Sequence, residues 1–288
     1  MINFVKIQYM KFEEYTQTTA TLQKRIQAID KSIFDESGNR EALETLFSCI
    51  DLTTLEGTDN KKRINGLCEQ ALEFKNVLNG KTVAAVCVYS PFIRQSKSVL
   101  KGSDICVATV ACAFPSGQLP LSLKIEEVKW AVSEGADEID MVISRGKLLE
   151  GDFDAIYEEV SQVKKACGTS HLKVILETGE LQTVQLIRKA CELAIQGGAD
   201  FLKTSTGKIS PAATPEAVVI MLDTIKEYHI ATNIKIGLKP AGGISEPENA
   251  LLYYKLVKEI VGKDWLNNKL FRIGASRLAE KIKTLLIA

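Results

Sequence analysis

Histidine is nearly missing from this chain: there are two in 288 residues, His171 and His229. They lie far apart with no His-x-x-x-His spacing, so neither a catalytic zinc site nor a Ser-His-Asp hydrolase is expected. An excess of one charge is missing too. Lys plus Arg and Asp plus Glu each number 36, so no net field draws the chain to a nucleic-acid backbone or an anionic membrane. Any anionic ligand must be held by a local cluster. No apolar run approaches the ~18 residues of a membrane span. The seven cysteines are odd in number, scattered and never spaced Cys-x-x-Cys, which favours reduced thiols. Lys6, Lys11, Glu13 and Glu14 interrupt the N-terminal apolar residues, so no signal or transit peptide is expected and the expected location is the cytoplasm. No linker rich in Pro, Gly or Ser argues for a second domain.

What is present is an α/β pattern. Short apolar runs rich in Val and Ile recur, each followed by an amphipathic stretch of roughly ten to sixteen residues. Strands are expected at 47–52, 83–89, 105–111, 138–143, 172–177, 201–204, 234–239 and 271–274. The clearest helices are 61–78, 125–134, 154–167, 184–196, 215–227 and 247–261. Pro215 and Pro247 fall in a first helical turn, where a missing N–H is harmless. Residues 135–140, Gly-Ala-Asp-Glu-Ile-Asp, and 198–203, Gly-Ala-Asp-Phe-Leu-Lys, read as copies of one module: a helix end, a turn and a strand start. A βα unit of roughly thirty residues, repeated about eight times, points to a (β/α)8 TIM barrel. An open doubly wound sheet would carry Gly-x-Gly-x-x-Gly after its first strand, and this chain has none. Residues 46–288 are assigned to the barrel. Residues 1–45 form an N-terminal helical extension, most helix-like over 15–30, that either caps the barrel floor or joins a subunit interface; a homo-oligomer stays open.

Active sites of such barrels lie at the C-terminal strand ends, and polar residues gather there. Asp51, Thr53 and Thr54 end the first strand, Asp140 lies in the fourth, and Lys173 and Glu177 lie in the fifth. Lys203-Thr204-Ser205-Thr206-Gly207-Lys208 runs on from the sixth and Lys239-Pro240-Ala241-Gly242-Gly243 from the seventh. Strand alternation turns Ile234, Ile236 and Leu238 toward the helices and Lys235, Gly237 and Lys239 inward. By the same rule Lys173 and Glu177 face in, and the module repeat gives Asp140 and Lys203 one phase. Burying charges without partners is costly, so a structural role for all of them is not expected.

The motifs KTSTGK (203–208), KPAGG (239–243), FRIGAS (271–276), GADEIDMV (135–142) and LETGEL (176–181) together closely resemble the deoxyribose-phosphate aldolase (DeoC) family, class I Schiff-base aldolases on a TIM barrel. The likeness runs from about Cys49 to the C-terminus. It implies reversible cleavage of 2-deoxy-D-ribose 5-phosphate into acetaldehyde and D-glyceraldehyde 3-phosphate, in deoxyribonucleoside breakdown, with no metal or organic cofactor. The partners it implies are a small sugar phosphate and aldehydes. On the same ground Lys203 is the Schiff-base lysine, Lys239 its companion and Asp140 the proton-relay acid. The chemistry is consistent: an amine must be neutral to attack an aldehyde, and a second ammonium plus desolvation lowers a lysine from ~10.4 toward ~7 to 8. A ketone-donor Schiff-base enzyme and a silent phosphate-binding barrel are the competing readings.

Phosphate recognition is expected at the turns after strands six to eight, where tight glycine turns expose N–H groups. Thr206, Gly207 and Lys208, Gly242 and Gly243, and Gly274 and Ser276 fill that position. Asp51 and Thr53 are expected to orient Lys239 or substrate hydroxyls, with Lys173 behind them. Cys87 is expected as a small core residue, since no histidine partners it. The two histidines fall at the barrel floor, structural or exposed. Two departures stand out: Arg277 follows Ser276 where members commonly carry a second serine, so it either adds charge to the phosphate pocket or points away. The chain ends on Ala288 without the terminal tyrosine of some members, so that tyrosine's proton transfer is absent or supplied by water.

Overall fold

The computed structural model describes residues 10–31 and 36–287; Lys6 and Ala288 lie outside the described residues. The strands are β1 Ile50–Thr53, β2 Ala85–Tyr89, β3 Cys106–Ala111, β4 Glu138–Val142, β5 His171–Ile175, β6 Phe201–Lys203, β7 Gly237–Lys239 and β8 Ile273–Ala275. The helices are α1 Thr19–Asp30, α2 Glu36–Ser48, α3 Lys61–Val77, α4 Ile93–Val99, α5 Leu121–Ser133, α6 Arg145–Leu149, α7 Phe153–Cys167, α8 Thr178–Leu181, α9 Val184–Gln196, α10 Pro215–Thr232, α11 Pro247–Ile260 and α12 Leu278–Ile287. All ladders are parallel, in the order β7-β6-β5-β4-β3-β2-β1-β8. Between β7 and β8 the ring is joined only by the isolated bridges Leu238 to Phe271 and Ala241 to Gly274. The result is a nearly closed eight-stranded TIM barrel.

Each strand is buried on both faces, as a parallel sheet covered by helices must be. Outward residues such as Val86, Val88, Ile139, Met141, Leu172, Val174, Leu202 and Leu238 pack against the helices in one large core. Inward residues split by sector. Ala85, Cys87, Ala108 and Val110 of β2 and β3 form a small apolar cluster with Leu55, while β1, β4 to β7 and the residue just before β8 send charged groups to the axis.

The repeated Gly-Ala-Asp module has a physical role. Gly135 and Gly198 end their helices at φ +98° and +95°, a conformation that favours glycine. Asp137 then accepts from the Val107 amide at 2.7 Å and pairs with Lys97 of α4; Asp200 accepts from the Leu172 amide at 2.7 Å and pairs with Lys164 of α7. Each carboxylate ties a strand entrance to the preceding βα unit. That sets the register carrying Asp140 and Lys203, each three residues further on.

Three expectations need correction. Phe47 and Ser48 belong to α2, because Phe47 sits edge-on to Phe74 of α3 at 5.1 Å and the strand begins at Ile50. Residues 234–236 are an irregular lead-in rather than strand. Lys235 therefore does not face the barrel axis; it is exposed at the surface, 3.1 Å from Asp264 and over the Trp265 ring. In the N-terminal segment the helix starts at Thr19, capped by Thr18, rather than at Tyr15, which donates to Asp223 at 2.7 Å. α1 lies against α10 and α11 in the outer layer.

Candidate active site

Register sets Lys203 beside Lys239 on β6 and β7, and Asp140 beside Lys173 on β4 and β5. All four side chains share the inward phase, so their charged ends meet at the axis. Asp140 Oδ2 accepts from Lys203 Nζ and from Lys239 Nζ, each at 2.7 Å. Its Oδ1 accepts from Lys173 Nζ at 3.2 Å. Lys239 Nζ also forms an ion pair with Asp51 Oδ2. Asp51, Asp140, Lys173 and Lys239 are fully buried, and Lys203 is 3% exposed. Among these five, only Lys203 lines the open cavity above them.

The electrostatics separate the two neighbouring lysines. Burial, and then the Lys239 ammonium, push the Lys203 amine below the ordinary lysine range, with the Asp140 carboxylate opposing. Burial also disfavours charge on Lys239, but Asp140 and Asp51 outweigh it and raise that amine above the ordinary range. Lys173 is raised in the same way, burial being overcome by Asp140, Glu138 and Asp51. Burial opposes charge on Asp140, yet Lys173, Lys203 and Lys239 hold its carboxyl well below the usual range. The site thus holds a fixed carboxylate, a fixed ammonium and an amine biased toward its neutral form, which is the equipment for adding to a carbonyl and moving a proton.

The cavity encloses about 360 Å³ at the C-terminal ends of the strands. Thr53, Thr206, Gly207, Lys208, Gly242, Gly243, Gly274 and Ser276 all line it, as does Arg277. Gly242 has φ +86°, and a Cβ there would meet Ala212 Cβ at 2.6 Å and Gly207 Cα at 3.0 Å, so the two glycine turns approach as only glycines can. A Cβ on Gly274 would meet Ala241 Cβ at 2.8 Å and Lys239 Cε at 3.3 Å. Glu177, buried, accepts from the Thr206 amide at 3.1 Å and from its hydroxyl at 2.5 Å; Thr206 Oγ1 in turn accepts from the Lys208 amide at 3.1 Å. That chain fixes the turn displaying Gly207 and Lys208. The Lys208 ammonium pairs with Glu56 at 3.2 Å.

Thr53 donates to the Asp51 carbonyl at 2.7 Å. Cys87 is buried on the inner wall, and burial raises its thiol above the ordinary range, so it stays protonated. His171 is exposed and His229 is half-buried, edge-on to Trp265 at 5.0 Å; neither reaches the site. Among the described residues no group of three or more His, Cys, Asp or Glu is placed to hold a metal ion.

Two charged residues of the barrel interior were not singled out from the sequence. Arg272, next to β8, donates to Asp51 Oδ1 at 2.6 Å and to Glu138 Oε1 at 2.7 Å. Glu138 also pairs with Lys173. The period-two rule held the signal for both: Glu138 lies two residues before Asp140 and Arg272 two before Gly274.

The DeoC/LacD family aldolase profile matches residues 45–260. Human (Homo sapiens) deoxyribose-phosphate aldolase is 45% identical over 245 residues, 81% of this chain and 77% of its own. The deoxyribose-phosphate aldolase of Agrobacterium fabrum is 42% identical over 250 residues, 86% of this chain and 92% of its own. The fold is also that of the tetrameric deoxyribose phosphate aldolase from Aeropyrum pernix, with TM-score 0.67 over 87% of this chain and 97% of the other at 23% identity. By sequence across most of its length and by architecture, the chain belongs to the DeoC/LacD family of aldolases.

Proposed function

We propose that this protein is a deoxyribose-phosphate aldolase. It reversibly cleaves 2-deoxy-D-ribose 5-phosphate to acetaldehyde and D-glyceraldehyde 3-phosphate through a Schiff base, in the cytoplasm, as a step in deoxyribonucleoside breakdown. The observation that carries the reading is the shared oxygen of Asp140, 2.7 Å from both lysine nitrogens, directly beneath a cavity that Lys203 alone of the pair reaches.

The neutral Lys203 Nζ adds to the C1 aldehyde of the open-chain sugar, and loss of water leaves an iminium. Asp140, through water, takes the proton from the C3 hydroxyl as the C2–C3 bond breaks. The bonding electrons flow into the iminium, giving an enamine and free glyceraldehyde 3-phosphate. Return of one proton to C2 and addition of water release acetaldehyde and regenerate the amine. Lys239 keeps its charge throughout, which disfavours a proton on Lys203.

The test is acetaldehyde plus borohydride followed by peptide mapping: one two-carbon unit is expected on Lys203. An adduct on Lys173, Lys208 or Lys239 instead overturns the assignment.

In this reading Lys208 and the amides of the Gly242-Gly243 turn hold the phosphate. Lys208→Ala is expected to raise KM for deoxyribose 5-phosphate about 10- to 100-fold, matching ~1.5–3 kcal/mol for a hydrogen bond to a charged group. Unphosphorylated deoxyribose should respond far less. Equal losses on both substrates would assign Lys208 to something other than phosphate.

A further inference from the structure

Beneath the lysine pair lies a second layer of charge that the reaction does not touch. Arg272 spans it, with Nη1 2.6 Å from Asp51 Oδ1 and Nη2 2.7 Å from Glu138 Oε1. The face of Phe201 lies under both Arg272 and Lys173, at 5.9 and 5.8 Å. From this layer two routes lead upward: Arg272 to Asp51 to Lys239, and Glu138 to Lys173 to Asp140.

Counting charge across both layers gives a simple result. The anions are Asp51, Glu138 and Asp140; the cations, Lys203 aside, are Lys173, Lys239 and Arg272. With Lys203 neutral the buried cluster balances at three against three. With Lys203 protonated it carries an uncompensated positive charge among buried groups, which is costly.

We infer that Arg272 is a positioning residue for the aldol reaction: it anchors Asp51 so that Oδ2 faces Lys239, and it supplies the third positive charge that makes a proton on Lys203 superfluous. Glu138 is its counterweight. The inference rests on Lys203 being the Schiff-base amine. The ionisable groups that act most strongly on these two sites come from several strands. Lys203 is faced by Cys87 from β2, Asp140 from β4 and Lys239 from β7. Arg272 is faced by Asp51 from β1, Cys106 from β3 and Glu138 from β4, with Cys49 just before β1. Burial raises both thiols, Cys49 to about 12, so neither adds an anion at neutral pH.

The measurement is the pH midpoint of acetaldehyde trapping on Lys203, read by mass spectrometry in the full-length protein. Arg272→Met removes a cation, so the cluster regains balance by protonating Lys203, and the midpoint should rise by about one pH unit or more. Arg272→Lys keeps the charge and should hold the midpoint near that of the unsubstituted protein. Glu138→Gln removes an anion and should lower it. Arg272→Met combined with Glu138→Gln removes one of each and should restore it. The opposite signs keep the test decisive if Arg272→Met alone does not fold. A residue that merely supports the fold would reduce trapping at every pH with no movement of the midpoint; that outcome in Arg272→Met, or an unmoved midpoint in Glu138→Gln, overturns the inference. Failure to trap Lys203 in the unsubstituted protein would instead overturn the proposed function beneath it.

Discussion

Lys203→Met is expected to abolish both the borohydride-trapped adduct and carbon–carbon cleavage, at every pH, with a loss of at least ~10⁴-fold in kcat. No other described lysine of the site can replace it. Lys239 and Lys173 are each held by two or more carboxylates that raise their pKa, so neither offers a free electron pair. Lys208 is paired with Glu56 at the mouth of the cavity. Methionine keeps the volume, so the change should leave the fold intact and remove only the nucleophile. A variant that still cleaves substrate, or carries its adduct on Lys239, would move the imine chemistry to a different amine.

Lys239→Met should have the second-largest effect, and its sign follows from the shared Asp140 oxygen. Removing this ammonium deletes the like charge beside Lys203 and leaves Asp140 Oδ2 with Lys203 as its sole close lysine partner. Both changes favour the protonated form, so the Lys203 pKa should rise. Each unit is ~1.4 kcal/mol and lowers trapping at neutral pH about tenfold, with recovery as the pH is raised. Burial is the larger cause of the depression in Lys203 and survives the substitution. If Lys239→Met traps acetaldehyde at neutral pH as fast as the parent protein, burial alone prepares the nucleophile and Lys239 belongs to substrate binding or proton transfer.

The inward positions of the lysine pair were legible from two separate patterns, while their roles came from the KTSTGK and KPAGG resemblance. The Gly-Ala-Asp repeat gave Asp140 and Lys203 equivalent positions, and the structure explains why: Asp137 and Asp200 make the same amide and lysine contacts one module apart. Alternation gave Lys239 correctly, yet the same alternation misassigned Lys235, because the strand it presumed to run from 234 begins at Gly237. Periodicity cannot say where pairing starts; that depends on the neighbouring strand, and β6 offers only three residues. Arg272 and Glu138 escaped for another reason. Charges near strand entrances read as surface groups in a sequence, and only the closure of the ring brings β4, β8 and β1 to one axis. Similarly, Phe47 reads as strand from its apolar neighbours until Phe74 claims it for the helical layer.

The seam between β7 and β8 gives ligand binding a mechanical meaning. Every other neighbouring pair of strands shares a continuous ladder, whereas these two share two lone bridges. Gly242 and Gly243 stand on one lip of the seam and Gly274 to Ser276 on the other, facing the same cavity. Under the proposed function, a phosphate accepting N–H groups from both lips would act as a clasp across the weakest closure of the ring. Local opening of the barrel and release of the phosphate then become one coupled event. Occupancy at a hundred times Kd adds about 2.7 kcal/mol to the closed state. The slowing of amide exchange that accompanies it should concentrate at Leu238, Arg272 and Gly274, whose amides bond across the seam, rather than spread evenly around the sheet.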